Sequence, residues 1–555
     1  MNRFASLLPL WGRNYPKQHF SADLIAGIVV TVLVLPQSLA YAMLAGLPPQ
    51  VGLYVSILPV VAYALIGSSM TQAVGPVAIT SIMTYALLSP LAEAGSAHYL
   101  ALAAALALMS GALVLAFGVM RLGFLANLLS RPVVSGFIAG SALLILVSQL
   151  KLLLGVAVPR GSTWEQLHAV AGQVLHTNGP TLLLSAASIV LLQLARRRTG
   201  LLPRLAPLVL IVFATLLVIT LDLDRRHGVA VVGEVASGLP ALQLSLPALG
   251  DIGTLLLPAL VLAFIGTVQN ITMARALAMK RRERVDANQE LVGLGLSNVM
   301  ASFFGGMPVG GGMSRSAINV ASGAQTPLAS IVSALLMLGI VAVGTTAFAR
   351  IPLPVLAASI VVAALGMIDV AEFRRAWAYD RADALAFLGT ALGVLALGLQ
   401  WGIVLGIGLS LATLLYRAST PHIAVVGRIV GTEHFRNVER HGVETLTSAV
   451  FLRIDESLFF GNLSAIEGRL LSELDLAPQA RAVVLIMSAV NRVDLTALEA
   501  LTTLEQDLQE RGVVLHLAEI KGPVQDRMLH TSFWSQLQGR VHLSANAAFE
   551  SLKPD

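Results

Sequence analysis

Arg315 is the residue through which this chain is best placed to do chemistry. It stands in Gly312-Met313-Ser314-Arg315-Ser316, directly after a glycine-rich run from Gly305 to Gly312, where a short apolar segment begins. An arginine inside an apolar segment is a functional hypothesis by default. Two readings are open: Arg315 attracts an anion, or it pairs with Glu290 or a carbonyl and holds the fold. A second short segment opens on Gly75-Pro76-Val77-Ala78, and Pro76 suits a first helical turn, where its missing N–H costs nothing. A helix that begins in mid-membrane exposes unpaired N–H groups and the positive end of its dipole. Two such ends facing each other make an anion site. Gln37 and Gln269 are costly in lipid and should face the protein core, where they can touch a ligand. Tyr41 lies one turn past Gln37 on the same face, as a wall for the substrate or as plain core. Glu290 begins a span and reads as a capping carboxylate, with a role in transport as the alternative; Met273 reads as packing.

These residues need elements to hold them. The 555 residues are 56% hydrophobic and 12% charged, with a mean hydropathy of +0.79, against roughly 25% charged in soluble proteins. Disordered chains, nucleic-acid binders and ordinary soluble enzymes are excluded. The absence of cysteine excludes disulfides and thiolate chemistry. The first 419 residues carry 24 Lys+Arg and 14 Asp+Glu; the last 136 carry 12 and 17. This is the profile of a polytopic α-helical membrane protein with a soluble tail. The lead, residues 1–21, has no signal-peptide core and reads as cytoplasmic. Apolar segments follow at 22–45, 51–67, 76–91, 98–119, 126–154, 180–195, 204–221, 252–278, 287–304, 314–323, 327–348, 354–369, 382–399 and 401–418. The third and tenth are too short or too glycine-rich to cross alone.

Loop charge supports this count of fourteen. With the N-terminus inside, thirteen basic residues face inward, from Arg121 and Arg131, the Arg196 and Lys280 clusters, and Arg374, Arg375 and Arg381. The outward loops hold Arg160, Arg225, Arg226 and Arg350 beside Glu93, Glu165, Asp222, Asp224 and Glu234. Both termini are then cytoplasmic, in a bacterial inner membrane. Seven plus seven segments imply an inverted repeat, about 22–221 and 252–418. A faint echo supports it: Leu35-Pro36-Gln37-Ser38 against Thr267-Val268-Gln269-Asn270, and Gly75-Pro76 against Gly312-Met313. Interrupted segments at corresponding places in two halves are the sequence pointer to a transporter's binding site.

Pro36-Gln37-Ser38-Leu39-Ala40-Tyr41-Ala42, Gly46-Leu47-Pro48-Pro49-Gln50-Val51-Gly52-Leu53-Tyr54 and Gly75-Pro76-Val77-Ala78 resemble the opening of the sulfate permease (SulP) family, relatives of the animal anion exchangers and prestin. Asn288-Gln289-Glu290-Leu291 through Asn298, and Ser314-Arg315-Ser316-Ala317-Ile318-Asn319, resemble its second half. The resemblance implies a core and a gate domain, a homodimer, and an elevator-like movement. It implies that Gln37, Tyr41, Val77, Ala78, Gln269, Ser314 and Arg315 surround the anion. One departure matters. Many bacterial and plant members carry a glutamate, thought to couple protons, where this chain has Gln269, so exchange or coupling to another ion such as sodium is expected.

The tail, 420–555, changes pattern. Segments 450–454, 482–487 and 512–517 read as strands, and 495–510 as a helix with Leu498, Leu501, Leu504 and Leu508 on one side. Alternating strands and helices give a small α/β domain. Ile454-Asp455-Glu456-Ser457-Leu458 and Asn491-Arg492-Val493-Asp494-Leu495-Thr496 resemble a STAS domain. In soluble STAS regulators a Ser or Thr at the place of Thr496 is phosphorylated; Thr496 is either such a regulatory site or a helix cap. A cytoplasmic protein partner would bind here. The expected function is secondary active transport of a small anion: sulfate first, with bicarbonate, chloride or a dicarboxylate as alternatives. A passive anion channel and a membrane-anchored regulator acting through the tail are the other readings. No catalytic triad, metal cluster, cofactor motif or nucleic-acid surface is legible.

Overall fold

A computed structural model of the chain describes every residue except 1–10, 12–14, 128–129, 159–162, 199–201, 234, 236–237, 239–248, 344–347 and 555. Most of the N-terminal lead, and Arg160 and Glu234 of the outward loops, lie outside the described residues. The chain divides into two compact units, Met1–Ser410 and Leu411–Asp555.

Helices fall on all fourteen expected stretches, the last of which runs past Ser410 into the second unit. Among the described residues, nine helical stretches are long and apolar enough to cross a membrane. The third and tenth segments are short helices, Ala78–Leu88 and Met313–Ala321. The second is broken into Pro49–Tyr54 and Leu58–Ile66, because Pro59 has no N–H to carry the ladder back across residues 55–57. The last two form the run Arg381–Ser419, interrupted at Gly398, whose φ of 85° only glycine adopts freely. An amphipathic helix that the sequence reading placed in a loop, Val370–Tyr379, follows the twelfth span and is capped by Asp369, which accepts from Glu372 N–H at 2.9 Å.

Two bundles make up the first unit. In one, Phe20–Leu44, Leu58–Ile66, Ala97–Val119, Leu249–Arg281, Ala287–Ser302 and Leu328–Val343 pack together. Small residues set its closest approach: a Cβ on Gly295 would come 2.5 Å from the Leu115 nitrogen, and one on Gly111 2.7 Å from the Val299 nitrogen. Such contacts replace the hydrophobic drive that lipid removes. In the other bundle, Arg131–Leu154, Gly179–Arg196, Leu202–Leu221 and Leu353–Leu365 pack together, and Gly136 meets the Phe387 carbonyl. These are the core-like and gate-like halves that the resemblance implies.

The second unit has one six-stranded sheet, order β4-β3-β5-β6-β7-β8, from β3 (Ile423–Arg428), β4 (Phe435–Asn437), β5 (Ala449–Ile454), β6 (Ala482–Ile486), β7 (Val514–Ala518) and β8 (Val541–His542). β5 to β8 run parallel, whereas β3 is antiparallel to both neighbours. Two-residue alternation sorts the side chains. Val450, Leu452 and Ile454 bury against Leu470, Leu501 and Leu508 of the helices Leu463–Leu476 and Leu495–Glu510, while Ala449 and Phe451 bury against Phe549 on the other face. The three expected strands and the helix are present. β3, β4 and β8 were not foreseen, since they lie at or beside the sheet's edges and are short or half-polar.

Candidate functional site

Two strands of two residues each, β1 (Val74–Gly75) and β2 (Gly310–Gly311), pair antiparallel, with Val74 opposite Gly311. Each leads into one of the short helices. Val77 and Gly312 are the N-cap residues, both extended, and neither helix start has a side-chain cap. Pro76 therefore precedes the cap instead of occupying the first turn. The strand pairing carries the chain in extended form to Gly75, and proline favours that conformation in the residue before it. Val77 packs on the glycines of the opposite segment: Cβ atoms added to Gly310 and Gly312 would lie 3.3 Å and 2.9 Å from its methyls.

Irregular backbone inside a membrane protein needs partners for its polar groups, and side chains from the neighbouring helices supply them. Asn298 pairs with both groups of Val309, its Oδ1 accepting from the N–H at 2.8 Å and its Nδ2 donating to the carbonyl at 3.1 Å. Ser316 Oγ accepts from Ala73 N–H at 3.0 Å, and Asn319 Nδ2 donates to the Thr71 carbonyl at 3.0 Å. Gln269 Nε2 donates to the Gly311 carbonyl at 3.3 Å, while its Oε1 is buried without a partner among the described residues.

Arg315, the third residue of its helix, is 5% exposed. Nη1 donates to the Val74 carbonyl at 3.4 Å and Nη2 to Ser38 Oγ at 3.2 Å. Ser56 Oγ donates to the Gly52 carbonyl, so Ser38 is the donor in the 2.9 Å contact between the two hydroxyls. The guanidinium lies against Gly75, where an added Cβ would collide with it. Among the described residues it meets no carboxylate. Two of its five N–H donors go to neutral oxygens, and its charge is uncompensated.

Glu290 is not its partner. The fully buried carboxylate accepts from Tyr63 OH at 2.5 Å, Ser68 N–H and Oγ at 2.8 Å each, Ser69 N–H at 2.9 Å and Asn270 Nδ2 at 3.1 Å. Nor does it cap its own helix, where Asp286 accepts from Asn288 and Gln289 N–H. It anchors the loop entering β1 instead. Sequence pattern could not show this, because Ser68 and Ser69 are more than 200 residues away in the chain.

Gln37 and Tyr41 line a cavity of about 400 Å³ between the two bundles. Ala317, Ile318 and Ala321 of the short helix form one wall, and Leu192, Pro207, Ile211, Leu356 and Ile360 the other. A much smaller cavity, about 80 Å³, lies on the side of Lys151 and Gln166. Ala40, Leu356 and Ile360 border both. Arg196 and Lys151 end consecutive antiparallel spans, so the larger cavity faces one side of the unit and the smaller the other. Met273 is buried packing. The side chain of Ser314 lies outside the described residues; its backbone is the second residue of the helix. Ala78 opens the other short helix. Ser38, Ser316, Asn298 and Asn319 were missed as site residues, although Ser38 follows Gln37 in the most distinctive motif.

In the second unit Thr496 is exposed in the first turn of Leu495–Glu510. The cap there is Asp494, which accepts from Ala497 N–H at 2.8 Å, so Thr496 is not the cap.

The sequence profile of the sulfate permease family matches residues 20–390, and that of the STAS domain residues 440–545. The chain is 34% identical over 533 residues to a protein of Mycobacterium tuberculosis named as a probable sulfate transporter, covering 96% of this chain and 94% of that one. Its fold is similar to that of the murine solute carrier 26 family member A9 anion transporter, with a TM-score of 0.89, 24% identity, and coverage of 100% and 95%. It is also similar to the transmembrane domain of a cyanobacterium bicarbonate transporter, with a TM-score of 0.63, 26% identity, and coverage of 70% and 98%.

Proposed function

The chain belongs to the sulfate permease family, and from that premise we propose that it is a secondary transporter of small anions, with sulfate as the first candidate. The observation that carries the reading is Arg315: buried at the start of a half-helix and meeting no carboxylate among the described residues. A buried charge without a counter-charge is expensive, and a bound anion removes that cost. The anion sits between the starts of Ala78–Leu88 and Met313–Ala321, held by their N–H groups and by Arg315, with Gln37, Tyr41, Val77, Gln269 and Ser314 around it. Gln269 cannot titrate, so coupling is to a counter-anion or a cation other than the proton.

The common wall of Ala40, Leu356 and Ile360 between the two cavities supports alternating access over a continuous pore. The bundle that carries Arg315 moves against the other in an elevator-like step, opening the smaller cavity as the larger closes. The reading includes a homodimer, an inner-membrane location, cytoplasmic termini, and a regulatory role for the STAS domain with Thr496 as its modification site. These rest on the resemblance and on the loop charge.

The test is labelled sulfate uptake by proteoliposomes, with and without an anion inside, in competition with bicarbonate, chloride and dicarboxylates. Saturable uptake accelerated by an internal anion supports exchange. Conductive flux without saturation would replace this reading by the channel.

A further inference from the structure

We propose that Arg196 forms a second, weaker site for small inorganic anions, in the open cavity between the bundles, which an anion occupies before it reaches Arg315. This deepens the anion-transport reading and takes its biological meaning from it.

Arg196 ends the helix Gly179–Arg196 and, among the described residues, is the one formally charged side chain lining the 400 Å³ cavity. The rest of the lining is Gln37, Tyr41, Ser359 and apolar side chains. Among the described residues no hydrogen bond or ion pair is made by the Arg196 side chain. Its guanidinium is seated over Gly366, where an added Cβ would lie 2.8 Å from Nη1. The next two arginines, Arg197 and Arg198, are exposed like Arg196 but do not line the cavity.

A cation at this place answers a specific electrostatic problem. The half-helix that offers its positive start to the anion ends at Ala321, which also lines the cavity. Its negative end repels the same anion during the approach. A guanidinium on the facing bundle offsets that repulsion. Low-dielectric walls concentrate its field, so that the local anion concentration rises. Arg196 lines the cavity together with Gln37 and Tyr41, and Ser38, next to Gln37, already binds Arg315. Arg196 thus lines the cavity on one bundle, and Arg315 lies behind its opposite wall, joined to it through Ser38.

The chain has no cysteine, which gives a test that needs no knowledge of the substrate. Ala321→Cys places a single thiol at an exposed position of the cavity lining. Its rates of modification by an anionic and a cationic methanethiosulfonate report the local potential in the full-length reconstituted protein. Relative to that background, Arg196→Gln should lower the anionic-to-cationic rate ratio by about three- to tenfold at low salt. Arg196→Lys should keep the ratio, and molar salt should erase the difference. If Arg196→Gln does not fold, the equally neutral Arg196→Met takes its place. An unchanged ratio, or a fall in Arg196→Lys as large as in the neutral variant, would overturn the proposal and leave Arg196 a helix-end anchor. In parallel, labelled sulfate uptake by Arg196→Gln should show a raised KM with its maximal rate kept. A wild type that transports no sulfate would remove the transport reading for that anion, while the thiol ratio still decides the role of Arg196.

Discussion

A Cβ at position 75 would come within 2.6 Å of Arg315 Cζ, so the absence of a side chain at Gly75 is part of how the guanidinium is placed. Removing the cation and blocking its seat should therefore have the same consequence. Arg315→Ala loses a buried charge-assisted contact, costing on the order of 2–5 kcal/mol of binding, which is roughly a thirtyfold or greater loss of sulfate affinity. Gly75→Ala should weaken sulfate binding in the same direction while leaving Arg315 in the sequence. Equilibrium binding to protein that elutes as wild type on gel filtration measures both; affinities within twofold of wild type would reject the anion site. Gln269 offers a separate check on coupling. Its amide N–H bonds to the Gly311 carbonyl at 3.3 Å, a bond that a glutamate makes only when protonated. Gln269→Glu should give uptake that rises in mild acid, whereas wild-type uptake is indifferent to an imposed proton gradient. Identical pH profiles for the two proteins would show that coupling lies elsewhere.

At the scale of elements, short strands are held by whatever side chains reach across them. β8 has two residues, and His542 within it meets His516 of β7, with Nε2 and Nδ1 3.0 Å apart and the rings stacked. One proton is shared across that contact, and a second has no acceptor. Burial, and then the neighbouring His542 and Arg540, bring the pKa of His516 from 6.5 down to about 4. Because the folded value is the lower one, the unfolded chain binds the proton first. Stability is therefore complete above about pH 6.5 and falls as the pH drops toward 4. Thermal melting of the STAS domain across that window should decline in wild type and decline less in His516→Gln. Parallel curves would mean that the pair does not contribute to acid sensitivity. The same dependence on cross-chain partners explains β1 and β2. Each is too short to persist alone, and Asn298, Ser316, Asn319 and Arg315 satisfy the polar backbone around them.

At the scale of the whole molecule, the chain separates into two units with distinct hydrophobic clusters. Among the described residues, every apolar helix long enough to cross a membrane ends by Ser419. A chain truncated after Tyr416 should therefore insert and fold as a membrane unit, giving a monodisperse peak in detergent. Aggregation of that product would show that the first unit depends on the second.

Hydropathy alone located the membrane segments, though not the amphipathic helix Val370–Tyr379 between two of them, because burial in lipid demands apolar length wherever the chain crosses, and that demand is local. The Gly-Pro and Gly-rich runs marked the two interrupted segments for a similarly local reason, since neither can continue a lipid-facing helix. The positions of Arg315 and Gln269 were legible as polar residues inside apolar spans. Their partners were not. That Glu290 serves the loop at Ser68 and Ser69 and not its own helix, that Ser38 receives a bond from Arg315, and that Arg196 lines the cavity reached from Gln37 depend on which helices of the two halves become neighbours. Contacts between residues so far apart in the chain leave no periodicity in one sequence; only the packed bundle brings those groups together.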